Sequence, residues 1–268
     1  MCCAAVRTRG RLRGVAGALL LVATVVCAPQ AVGDPNALWA IVNGQCVPGQ
    51  QNNGDPAPCA LVDLDGGEPR GYAVLKDLVG ATQFLLIPTA RVPGIESPQI
   101  LAADAPNYFA DAWRARSFVE QRAGRELPRD WLSLAVNSAD ARSQDQLHIH
   151  VDCVRADVRQ ALAAHADDIG ATWRPFPETL AGQRYRAMSI RAQELDGVNP
   201  FQLLADDLPA GDSMGAQSLV VVGDNDADGR PGFVLLAGRA DVTRPGSGHG
   251  EDLQDHVACP PPAEVMGK

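Results

Sequence analysis

The sequence predicts an α+β fold, an antiparallel sheet with covering helices, formed by a single domain that follows a distinct N-terminal segment. Three observations carry this expectation. Apolar runs of strand length fall in neighbouring pairs separated by turn residues, two longer stretches carry apolar residues at helical spacing, and no internal repeat interrupts the chain. With 46% apolar and 21% charged residues over 268 positions, the composition is that of a globular chain able to bury a core.

The N-terminal segment stands apart from the rest. Arg7, Arg9, Arg11 and Arg13 precede an uncharged run from Gly14 to Ala28, and no acidic residue occurs before Asp34. An apolar run of this length suits a signal peptide and falls short of the ~20 residues that span a bilayer, which favours cleavage after Ala31-Val32-Gly33. The expected organisation is therefore residues 1–33 as a signal peptide or N-terminal membrane anchor and residues 34–268 as the folded domain.

The elements follow in order. Asp34-Pro35 has the form of a helix start, with Leu38, Ile41 and Val42 on one apolar face, and this short helix leads to a loop at Cys46. Tyr72–Lys76 and Gln83–Pro88 are expected strands, paired as a hairpin across Gly80. From Pro106 to Val119, Phe109, Ala112, Trp113 and Val119 mark a helix that Gly124 stops. Leu132–Asn137 and Leu147–Cys153 form a second hairpin around a polar loop. Val158, Leu162, His165 and Ile169 mark a second helix ending at Gly170, and Ser218–Val222 with Phe233–Ala237 make a third, closing hairpin. The segments 245–248 and 260–262, rich in Pro and Gly, read as flexible connectors.

Charge and cysteines narrow the setting. Removing four arginines and no acid with the leader takes the formal net charge from −9 to −13, so nucleic-acid binding through phosphate neutralisation is not expected. An acidic domain is also repelled by anionic headgroups, so action at a membrane calls for a tether. Beyond the leader, Cys46, Cys59, Cys153 and Cys259 form an even set that allows three pairings. An oxidising compartment favours disulfides, and the short Cys46-to-Cys59 spacing suits a locally stapled loop, so the preferred pairing is Cys46–Cys59 with Cys153–Cys259.

The candidate chemistry lies in Gln146-Leu147-His148-Ile149-His150-Val151. On a strand, Gln146, His148 and His150 share one face while Leu147, Ile149 and Val151 point to the core. Two histidines and an amide in one row are costly to bury without partners, which points to a wet cleft. Three readings remain open on the residues alone: a surface row, two ligands of a zinc site that lacks a third, and an imidazole nucleophile with His150 stabilising negative charge.

This hexapeptide resembles the histidine-triad motif of nucleotide hydrolases and transferases. The resemblance extends to Ala73–Leu78 with Phe84–Pro88, and to Ser133–Asn137. Asn137-Ser138, Arg142 through His150, Cys153 and the Leu253–His256 segment are similar to the bacterial CDP-diacylglycerol pyrophosphatase family, over roughly Leu38 to Cys259. The resemblance implies a histidine-triad-like antiparallel sheet and hydrolysis of CDP-diacylglycerol to CMP and phosphatidate. It makes His148 the nucleophile of a covalent nucleotidyl-histidine intermediate and His150 a ligand of the phosphoryl oxygens. Asn137, Ser143 and Gln146 follow as hydrogen-bonding candidates, and Asp77 as a ribose contact. No metal or cofactor is implied, and the enzyme is expected on the periplasmic face of a bacterial inner membrane, associated through its N-terminal segment.

This chain departs from the motif at Gln146, where the first histidine would stand; an amide cannot carry a proton charge, which removes a general acid. Phosphatidate leaves as a stable anion and needs little protonation, so the chemistry tolerates the change. If the amide only hydrogen-bonds within the row, Gln146→His is expected to be harmless. Lys76 and Arg142 are further candidates for phosphate contact. Two alternatives stand beside this reading: a secreted pyrophosphatase of soluble dinucleotides, and a disulfide-stapled zinc-binding protein. Asp224–Gly229 imitates a calcium loop but reads as a solvated hairpin turn, and neither His165 nor His249 is expected to take part.

Overall fold

Short apolar strands, the central ones buried on both faces, build one antiparallel sheet of nine strands in the computed structural model, which describes residues 33–260. The expected targeting segment, apart from Gly33, and Pro261 and Pro262 lie outside the described residues. In chain order the strands are β1 (Leu61–Asp63), β2 (Tyr72–Lys76), β3 (Phe84–Pro88), β4 (Leu132–Val136), β5 (Ile149–Cys153), β6 (Arg174–Leu180), β7 (Gln183–Ile190), β8 (Gln217–Asn225) and β9 (Pro231–Arg239). Across the sheet the order is β1-β2-β3-β5-β4-β8-β9-β7-β6.

All three expected hairpins form: β2 pairs with β3, β4 with β5, and β8 with β9. The last does not close the sheet. It sits in the interior, and β7 and β6 extend the sheet beyond it. Pro175 and Pro177 hid β6 from a pattern reading, and an edge is where a strand tolerates prolines that donate no ladder bond. The Asp-rich turn between β8 and β9 is a hairpin turn as expected, with Asp226 Oδ1 accepting from the backbone N–H of Asp228 and Arg230 at 3.0 and 2.8 Å.

The first helix starts later and runs further than the sequence suggests. Asp34 accepts from the Asn36 N–H, and α1 (Ala37–Ile41) continues through a π-helical turn, Val42–Cys46, into α2 (Val47–Asn53), which ends at Gly54 with φ 66°. Cys46 thus sits in helix, not in a loop, and reaches Cys59 beyond it. Both expected disulfides are present, with Cα–Cα distances of 5.7 Å for Cys46–Cys59 and 5.2 Å for Cys153–Cys259. The long helix α3 (Tyr108–Ala123) is capped by the Asn107 side chain and stopped by Gly124 at φ 73°. A shorter α4 (Ala156–Ala164) ends before His165 rather than at Gly170, and α5 (Pro200–Ala205) was not foreseen.

These helices cover the sheet unequally. One face carries a continuous core in which Phe109 and Trp113 of α3 meet Leu86, Leu134, Ile149, Val151 and Phe233. The other face carries two separate apolar clusters. Leu38, Val42 and Val47 cover Ala73, Leu85 and Ile87 at one end, and Val158 and Leu162 cover Ala135, Val220 and Leu236 at the other. Between them, β5 turns polar side chains into the gap. Among the described residues no helix is long and apolar enough to cross a membrane.

Candidate active site

The period of a strand explains why the gap is polar. On β5 and the residue before it, His148, His150 and Asp152 alternate with Ile149 and Val151, which are fully buried in the main core. The same face of β4 contributes Ser133 and, just past its end, Asn137, and the residue entering β3 is Gln83. Of these polar groups His148, His150 and Asn137 reach a cleft of about 570 Å³. His148, His150, Asn137, His249 and Glu251 line its polar side, while Leu38, Ile41, Pro58, Leu75 and Leu85 form an apolar wall.

His148 Nδ1 lies 2.8 Å from the Gln146 carbonyl oxygen. A carbonyl only accepts, so Nδ1 carries the proton and Nε2 keeps its lone pair. Burial pushes the imidazole below its usual value, partly offset by that same hydrogen bond and by Glu251 and Asp77. The side chain is thus a neutral base at neutral pH.

The neighbouring ring has the opposite tautomer. His150 Nδ1 accepts from Gln83 Nε2 at 2.9 Å, so its proton resides on Nε2, which is buried without a partner among the described residues. Burial pushes His150 down to about 3. It is therefore a neutral N–H donor, its ring edge-on to His148 with centroids 4.9 Å apart. Gln254 steadies this arrangement, donating to the Ser133 and His150 carbonyls at 3.1 and 3.2 Å and lying 3.5 Å from Gln83 Nε2.

Glu251 was not foreseen from the sequence. Its Oε1 accepts from Asn137 Nδ2 at 2.7 Å, its backbone N–H donates to Asn137 Oδ1, and its Oε2 lies 3.4 Å from His150 Nδ1. Burial alone would raise this carboxyl; the Asn137 amide donating to Oε1 works against burial, and the net direction is below the usual range. His249, set aside in the sequence reading, also lines the cleft. Its segment is no loose connector: Ser138 N–H donates to the Gly248 carbonyl at 2.9 Å, and a Cβ at Gly248, where φ is 85°, would fall 2.3 Å from Ser138 Oγ. His165 instead pairs with Asp168 at 2.9 Å, outside the cleft.

Of the other candidates, Lys76, Asp77 and Ser143 line the cleft with Asn137. Lys76 Nζ also bridges the turn after β2, donating to the carbonyls of Asp77 and Gly80 at 2.7 and 2.9 Å. Gln146 and Arg142 do not line it. The buried Gln146 amide donates to the Pro88 and Ala90 carbonyls, both at 2.9 Å, and accepts from the Val92 N–H, so it ties the exit of β3 to β5. Arg142 is paired with Glu96 at 2.6 Å and Asp145 at 3.2 Å. Both side chains are spent on structure because carboxylates and carbonyls from distant loops meet them, which spacing alone does not reveal. Among the described residues no group of three His, Cys, Asp or Glu side chains is arranged to hold a metal ion.

Comparison with known proteins bears on this cleft. Residues 33–260 match a family model described as CDP-diacylglycerol pyrophosphatase. A protein of Yersinia pestis named CDP-diacylglycerol pyrophosphatase is 45% identical over 223 residues, covering 83% of each chain.

Proposed function

This chain belongs to the CDP-diacylglycerol pyrophosphatase family, and from that premise we propose that it hydrolyses CDP-diacylglycerol to CMP and phosphatidate through a nucleotidyl-histidine on His148. It is a hydrolase of a phosphoric anhydride. The observation that carries the mechanism is the His148 tautomer, with Nδ1–H tied to the Gln146 carbonyl and Nε2 holding a free pair beside an unpartnered His150 Nε2–H.

In the first step His148 Nε2 attacks the phosphorus attached to cytidine. The N–P bond forms, the P–O bond to the bridging oxygen breaks, and phosphatidate departs with that electron pair. The positive charge gained by the imidazole is delocalised toward Nδ1, whose proton stays on the ring and donates to the Gln146 carbonyl. His150 Nε2–H donates to the developing charge on the phosphoryl oxygens. In the second step water attacks the same phosphorus, the N–P bond breaks, and CMP is released. Glu251, kept anionic at the cleft, takes the proton that the water loses. Lys76 offers the diphosphate a positive charge and Asp77 offers the ribose hydroxyls an acceptor.

The two disulfides favour an oxidising compartment. We place the enzyme accordingly on the outer face of the inner membrane, associated through the segment before Asp34.

The test is direct. The purified chain, given CDP-diacylglycerol, should release CMP and phosphatidate in equal amounts. His148→Ala should abolish turnover while leaving the melting temperature near wild type, because Leu147 and Ile149 carry the local packing. Quenching wild-type turnover at alkaline pH, where phosphoramidates persist, should yield a CMP adduct on the peptide containing His148. Substantial turnover by the Ala variant would end the nucleophile reading.

A further inference from the structure

We infer that the turn between β2 and β3, residues 77–82, is a membrane-inserting tip that sets the mouth of the cleft against a phospholipid bilayer. Leu78 is 102% exposed and Val79 59%, and both border the cleft that contains His148. An isolated exposed leucine is unremarkable. Two adjacent apolar side chains at the apex of a hairpin, continuous with an apolar cleft wall, form a surface that water disfavours and hydrocarbon does not.

The tip is held out rather than left to collapse. Asp77 Oδ1 accepts from the Val79 N–H at 3.1 Å, Lys76 Nζ donates to the Asp77 and Gly80 carbonyls, and Arg122 Nε donates to the Ala81 carbonyl at 3.2 Å. These bonds fix the backbone on both sides of Leu78, whose side chain stands in solvent. Lys76 and the exposed Arg122 flank the tip with two positive charges against the one negative charge of Asp77, a local excess of one on a chain whose formal net charge is −9. That local charge matches anionic headgroups which the molecule as a whole would repel.

The size of the cleft fixes the occupant as a bilayer rather than a partner protein. The cleft itself, about 570 Å³, is of the size that holds a drug-sized ligand, ~300–1,000 Å³. A lipid with two long acyl chains overfills it. The chains must remain in hydrocarbon while the diphosphate reaches His148, and the tip marks where the two meet. The choice of surface rests on the proposed lipid substrate; the insertion itself is measured without turnover.

The experiment uses the full chain carrying Leu78→Trp, with vesicles of phosphatidylcholine and phosphatidylglycerol whose acyl chains bear bromine. Relative to wild type, the added tryptophan emission should shift to shorter wavelength on vesicle addition and be quenched by the bromine. Emission from the introduced indole that is indifferent to vesicles would overturn the inference, whatever the enzyme hydrolyses. A second arm compares substrates. Leu78→Ser/Val79→Ser should lower kcat/KM about tenfold or more on CDP-diacylglycerol in vesicles. On a monomeric short-chain analogue it should stay within about twofold, since no membrane need be met. Equal losses on both would reassign the pair to substrate contact and overturn the membrane role. Absence of turnover by wild type on either substrate would count against the proposed function, not against the tip.

Discussion

His148 donates a hydrogen bond from Nδ1–H to the carbonyl of Gln146, two residues back at 2.8 Å, so the residue that replaces a histidine of the motif orients the nucleophile through its backbone, not its side chain. That bond decides which ring nitrogen is free, and burial decides that it is free at neutral pH.

The pH profile follows from the sign of that shift. His148 reacts as the neutral ring, and its folded value lies below the ordinary 6.5, so kcat/KM should stay level as pH falls to 6.5 and decline only at lower pH. Asp77 favours the charged ring. Asp77→Asn should therefore move the acid limb to still lower pH, a readout that a purely structural loss would not give. An acid limb unmoved or moved upward would contradict this account.

Gln146→His should destabilise the fold, contrary to the tolerance expected when the amide is read as part of an open row. The amide satisfies two carbonyls and one N–H in the interior, and an imidazole cannot reproduce that set. Leaving such buried groups unpaired costs about 1–3 kcal/mol each. Urea unfolding of the two proteins measures it; equal midpoints would show that the loops rearrange freely.

Asp152 should make stability fall as pH rises. Its carboxyl is fully buried, with Oδ1 bonded to Thr82 and the Cys153 N–H and Oδ2 without a partner among the described residues, and burial raises it to about 6 from 3.8. Between those values the folded state binds the extra proton, so stability is greatest below pH 4 and is lost through pH 6. Asp152→Asn cannot ionise. Its stability relative to wild type should therefore be greater at pH 8 than at pH 4 by about 2–3 kcal/mol, from roughly 1.4 kcal/mol per unit. The unpaired Nδ2 lowers the variant equally at both pH values and cancels from the comparison.

The two disulfides should differ in weight. Cys153–Cys259 closes a separation of 106 residues and Cys46–Cys59 one of 13. Chain entropy assigns them about 5 and 3 kcal/mol. Replacing the first pair by Ser should lower the thermal midpoint more than replacing the second, and calorimetry of both double variants checks the order.

What the sequence determined by itself is whatever depends on neighbours along the chain. A period of two set Leu147, Ile149 and Val151 against His148 and His150, and the structure keeps that division, with the apolar residues in the main core and the histidines facing the gap. Gly124 ended its helix and the turn residues joined three hairpins for the same local reason. The tertiary structure alone decided what meets those residues. Glu251 reaches Asn137 across 114 positions, Gln83 reaches His150 across 67, and Arg142 is drawn to Glu96 across 46. Such pairings depend on the order β3-β5-β4-β8, and periodicity says which face a side chain takes but not which strand lies beside it. Gln146 shows the limit most clearly: its alternation assigned it to the row of histidines, while carbonyls from the exit of β3, needing donors once buried, claimed its side chain for the interior.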